Sequence, residues 1–193
     1  MFRRAGLAAV FLLLLTAASA SAATKSVSIS GFAYHVTPLK VGRNTTVTWT
    51  NNDSGTQHSA TSDVAGLFDT GFLNPGQHGS GFFTQAGGFS YHCRVHSFMH
   101  GVVKVKMSAS PSSGATGTTF TLTLASATVP SGFTHDIQVS RNGGSFMSLP
   151  STTNRTTTFR PTKSGTYKIQ TRLHQSSTST TTDWSPSATI TVG

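Results

Sequence analysis

The chain has no glutamate, and charged residues make up only 10% of its 193 positions. It has a single cysteine. Beyond the first 22 residues it holds no apolar run long enough to cross a membrane. Each shortage excludes something. The 14 basic residues outnumber the 5 acidic ones, but they are scattered. A chain without a basic block or stripe lacks the footprint of a nucleic-acid binder. A chain poor in glutamate and rich in Thr, Ser and Gly favours strands and turns over helices. A lone cysteine cannot make an internal disulfide, so it pairs between chains, stays free or serves chemistry.

What is present begins with a leader. Arg3 and Arg4 precede an apolar run from Ala5 to Leu15, and Ala20-Ser21-Ala22 offers a small-residue cleavage site. Residues 1–22 are expected to be a signal peptide. The mature chain then starts near Ala23, outside the cytoplasm, in the periplasm or the extracellular space. Without Arg3 and Arg4, 12 basic and 5 acidic residues leave a net charge of +7, which favours acidic partners.

The rest of the chain reads as strands. Val27 and Ile29 alternate, as do Val47 and Trp49. Asn51-Asn52-Asp53-Ser54-Gly55 is a turn cluster, and residues 62–79 read as an irregular excursion. Phe82 and Phe83 restart a strand, and a hairpin closes the unit near Met107. This is the profile of a small β-sandwich over residues 23–107. Residues 108–117 read as a linker by composition. A second strand series fills 118–193, with Phe120, Leu122 and Leu124 alternating, then Ile137 and Val139, then Tyr167, Ile169, Thr171 and Leu173.

Chemistry concentrates in residues 91–101, YHCRVHSFMHG. Cys93, His96 and Met99 place a thiolate, an imidazole and a thioether within seven residues. Such soft and borderline donors suit copper better than magnesium or calcium. The flanks read as two strands, so the three sit in one tight loop. A fourth ligand must come from elsewhere, and His58 is the best candidate. A thiolate with two imidazoles and a weak thioether is the donor set of blue-copper electron-transfer sites. Zinc prefers four strong ligands, and methionine is a poor fourth. In a strand, His92 points away from Cys93. Phe98, Phe72 and Leu73 are candidates for an apolar collar around His96.

On these residues the stretch from about 25 to 107 resembles the cupredoxin family, most closely its plastocyanin- and amicyanin-like members. The likeness rests on Val47-Thr48-Trp49-Thr50-Asn51-Asn52-Asp53 leading to His58, on Phe68-Asp69-Thr70-Gly71 with Pro75-Gly76, and on Tyr91-x-Cys93-x-x-His96-x-x-Met99-x-Gly101. It implies an eight-stranded Greek-key barrel with one mononuclear copper. His58, Cys93 and His96 would be equatorial ligands and Met99 axial. Two positions depart from the family pattern. Ser59 stands where an asparagine usually ties the ligand loops, and Val95 where many relatives have proline. The second half resembles a fibronectin type III domain, an Ig-like β-sandwich, through Phe159, Pro161, Gly165-Thr166-Tyr167 and Trp184-Ser185-Pro186. That resemblance implies a spacer or binding module, with Tyr167 as its corner tyrosine.

The expectation is an all-β, exported electron carrier and not an enzyme. Its redox partner, favoured to be acidic by the net charge, would dock near His96. A copper carrier or sequestering protein shares the same ligands. A surface-binding protein working through the second half is the other alternative.

Overall fold

The computed structural model describes residues 22–193, and it is all β. The leader read over residues 1–22 lies, but for its last residue, outside them. Among the described residues no helix is long and apolar enough to cross a membrane.

The first unit has eight strands: β1 (Ala23–Ser30), β2 (Ala33–His35), β3 (Leu39–Val41), β4 (Thr45–Asn51), β5 (Thr61–Ser62), β6 (His78–Phe83), β7 (Gly87–His92) and β8 (His100–Val105). They form two sheets, β2-β1-β4-β6 and β3-β8-β7-β5. β1 runs parallel to β4 and β3 parallel to β8, because the chain crosses between sheets as a Greek key requires. Period-2 alternation sets which side chains enter the core. Val27, Ile29, Val47, Trp49, Val103 and Val105 are fully buried between the sheets. In β6 the exposed Phe82 and buried Phe83 split the same way. Trp49 and Tyr91 pack edge to face at 5.3 Å, and Trp49 stacks on Phe68 at 5.3 Å.

The second unit is a second sandwich. Its strands are β9 (Ser108–Ser110), β10 (Ser113–Gly114), β11 (Phe120–Thr123), β12 (Phe133–Arg141), β13 (Met147–Thr152), β14 (Thr156–Phe159), β15 (Gly165–Gln175) and β16 (Ala188–Val192). A five-stranded sheet, β10-β16-β15-β12-β13, faces a three-stranded one, β14-β11-β9. Residues 108–117 therefore differ from the linker their composition suggests. Small Ser and Gly side chains leave the backbone free to pair, and β9 and β10 join the two sheets.

The units share packing as well as a chain crossing. Val129, Phe133 and Leu173 join the first core, and Ala86 and Met107 join the second. Gly88 and Asp183 exchange backbone hydrogen bonds of 2.7 and 2.8 Å. The buried Gln85 amide donates to the carbonyls of Ala127 and Thr128, each at 3.1 Å.

Candidate metal centre

Two loops at one end of the first sandwich bring the sulfur and nitrogen donors together. Cys93 directly follows β7, and Met99 directly precedes β8, so the hairpin holds both ends of the ligand loop. Within it the Cys93 N–H donates to the Met99 carbonyl at 3.1 Å, and the Met99 N–H donates to that of His96 at 2.9 Å. These bonds curl the seven residues into a tight loop that turns Cys93 and His96 toward each other. His58 comes from the other sheet's side, where it exchanges backbone bonds of 3.1 and 2.7 Å with Leu73.

The donors converge. Cys93 Sγ lies 3.8 Å from His58 Nδ1 and 3.7 Å from His96 Nδ1, and the two Nδ1 atoms are 3.2 Å apart. Ligand bonds of about 2.0–2.3 Å spread at about 120° would separate donors by roughly 3.5–3.8 Å. His58, Cys93 and Met99 are buried, and His96 is partly exposed. His58 gives its Nε2–H to Asp53 Oδ2 at 2.9 Å. Its Nδ1 is then a bare lone pair aimed at the sulfur and the second imidazole. A thiol and two imidazole nitrogens crowded this closely fit a cation better than they fit one another. The donor set fits one mononuclear copper. The thioether of Met99 sits in the same core cluster as Cys93.

A frame of hydrogen bonds surrounds these donors. Ser59 N–H donates to Cys93 Sγ at 3.3 Å, and Ser59 Oγ accepts the Arg94 N–H at 3.0 Å. The serine thus ties the two ligand loops where the family pattern has an asparagine. Tyr34 donates its hydroxyl to the Ser59 carbonyl. Burial, chiefly, pushes the Tyr34 phenol far up, with the Cys93 sulfur adding to it. Burial also raises Tyr91 to about 12. The Asp53 carboxyl is held below its usual range, first by the Phe32 N–H and then by those of Gly31 and the His58 ring. The Asn51 side chain, fully buried, donates to the carbonyls of Thr56 and Leu73 at 2.9 and 2.8 Å, bracing the His58 loop.

The four sequence-chosen residues all reach this end of the sandwich. His92 turns away, bonded to Asp63 at 2.6 Å, and His100, His35 and His78 are exposed. The expected collar is corrected at one position. Phe98 and Phe72 are 69% and 53% exposed, but Leu73 is buried in the core, since its backbone pairs with His58 and turns the side chain inward. Phe32 takes its place at the rim. Sequence reasoning missed Phe32, Asp53 and Asn51. Asn51 and Asp53 stood in the turn cluster and in the cupredoxin-like run before His58, with no role assigned to either.

Several solved structures are similar to part of the chain. A Cu(I) form of an amicyanin variant is 31% identical, with 43% of this chain and 82% of that one covered and a TM-score of 0.39. A purple cupredoxin from Nitrosopumilus maritimus is 29% identical, with 42% and 98% covered and a TM-score of 0.38. A copper-containing nitrite reductase from Thermus scotoductus is 26% identical, with 50% and 25% covered and a TM-score of 0.41. No family model matches the chain, and no curated protein matches it.

Proposed function

We infer that this chain, whose first unit has the cupredoxin fold around a His-Cys-His cluster, is an exported type 1 copper protein that passes single electrons between redox partners. The observation that carries the reading is the meeting of His58 Nδ1, Cys93 Sγ and His96 Nδ1 within 3.8 Å of one another. The residues that would hold the copper are those three, with the Met99 thioether as a weaker fourth donor. Copper held there supplies a one-electron couple, because thiolate and thioether favour the reduced ion and imidazole accommodates the oxidised one.

The chain's own residues would do the rest. Ser59 and the paired loop backbone hold the donors in a frame that need not rearrange between oxidation states. His96 is the donor that reaches the surface, and its exposed edge is the proposed route for the electron. The rim around it is apolar, from Phe98, Phe72 and Val95, which suits brief docking. The Arg94 guanidinium lies 4.3 Å over the Phe72 ring and 3.4 Å from the Asp69 carboxylate, so its charge is partly answered within the chain. The first unit's four lysines all lie elsewhere. Lys25, Lys40, Lys104 and Lys106 line a cavity of about 280 Å³ beside Pro186. The reading assigns no substrate, since His58, Cys93 and Met99 are covered by protein.

The division between the units is proposed near residue 107. The second unit is read as fibronectin type III-like, without chemistry of its own. The support is Tyr167, whose hydroxyl donates to the Lys163 carbonyl four residues upstream at 2.7 Å.

The test is the visible spectrum and voltammetry of the Cu(II)-loaded chain beside a Cys93→Ala variant. A strong thiolate-to-copper charge-transfer band toward the red, lost in the variant, and a reversible one-electron wave are expected. Absence of the band would remove the reading. A band without a wave, with copper that exchanges readily into a chelator, would instead mark a copper carrier.

A further inference from the structure

The turn between β1 and β2 is built from two successive left-handed residues, Gly31 and Phe32, each with φ near +57°. Two-residue hairpin turns of this kind call for glycine or asparagine, because a Cβ crowds the backbone at positive φ. A phenylalanine there is an outlier that its surroundings must hold in place. Core burial does not explain it, since the side chain is 46% exposed. Two contacts do. The Asp53 carboxylate accepts the Gly31 N–H at 2.6 Å and the Phe32 N–H at 3.1 Å. The ring then stands edge-on to both imidazoles of the metal centre, with centroids 5.0 Å from His96 and 5.7 Å from His58.

The same Asp53 oxygen that takes the Phe32 N–H also takes the His58 Nε2–H. One carboxylate therefore ties a metal-facing imidazole to the strained turn that carries the ring against both imidazoles. We propose that Asp53 and Phe32 form a positioning clamp on the copper site: Asp53 fixes the tautomer and plane of His58, and Phe32, locked by the same carboxylate, restrains the rotation of His96. Neither is a ligand. The proposal rests on the copper reading above and deepens it. Partners that orient a ligating imidazole are typically worth 10- to 100-fold in metal affinity.

A phenylalanine kept only for the fold and one kept for the site respond oppositely to Phe32→Gly. Glycine takes positive φ without strain, so the thermal midpoint of the metal-free variant should hold or rise. Its copper affinity, measured with Cu(II) ion against a competing chelator, should nevertheless fall, and its charge-transfer band and potential should shift. Asp53→Asn should lower affinity about 10- to 100-fold, with Asp53→Glu recovering part of the loss. In the metal-free protein the His58 Nε2–H should give a slowly exchanging ring-proton NMR signal that Asp53→Asn abolishes.

Wild-type affinity, spectrum and potential in both Phe32→Gly and Asp53→Asn would overturn the clamp while leaving a blue wild-type protein, and the copper reading, standing. A missing His58 ring-proton signal in the wild type would overturn Asp53's part without any copper present. A wild-type chain with no charge-transfer band would sink the copper reading and the clamp with it.

Discussion

Acid should loosen the joint between the two units, and His135 sets the range. Its ring is fully buried in the second unit. Nε2 lies 3.2 Å from Gln85 Oε1, and Nδ1 lies 3.2 Å from Thr171 Oγ1. Gln85 belongs to the first unit, so the neutral imidazole is part of the contact. Burial lowers the His135 pKa from 6.5 to about 4, against a smaller upward pull from Asp136. Between those values the unfolded chain carries a proton on this ring that the folded chain does not. Stability therefore falls as pH falls, beginning near 6.5 and ending near 4. At about 1.4 kcal/mol per pH unit, the whole window is worth about 3 kcal/mol. The perturbation is His135→Gln, which removes the titrating ring. The assay is urea unfolding of the metal-free chain at pH 7 and pH 4. All other titrating groups are present in both proteins, so their effects cancel in the difference. The wild type should lose about 3 kcal/mol more than the variant over this interval. Equal losses would refute the reasoning, because the ring would then be solvated or already charged in the folded state.

Other expectations follow from single contacts. A Cβ at Gly101 would lie 2.3 Å from Tyr91 Cζ and 2.4 Å from its hydroxyl. Tyr91 is fully buried and has no room to retreat, so Gly101→Ala should cost about 1–3 kcal/mol and broaden the copper spectrum by shifting the Met99 end of β8; an unchanged melting temperature would contradict this. Tyr167→Phe removes the bond to the Lys163 carbonyl and should cost about 1 kcal/mol in urea unfolding, with the charge-transfer band untouched.

Much of the fold was legible because buried strands announce themselves by alternation. Val27 with Ile29, Phe120 with Leu122, and Tyr167 through Leu173 all face inward as their spacing requires. Short strands were harder. β9 and β10 sit in a Ser- and Gly-rich stretch with no hydrophobic period, and only their partners make them strands. Leu73 shows the same limit: its sequence neighbourhood suggests a rim, and its pairing with His58 sends it to the core.

The donor types and their order were written into the chain, since one cysteine, a histidine three residues on and a methionine three beyond that leave little else for a soft metal to use. Whether His58 would stand within reach of that sulfur was not. That distance depends on Greek-key crossings that bring β4's exit and β7's exit to the same end, and sequence spacing carries no record of it. The same holds for Asp53, 21 residues from Phe32 along the chain and 3.1 Å from it in space. Local chemistry is a property of residue type, and convergence is a property of the packed sheets, where long-range pairing decides which side chains share a site.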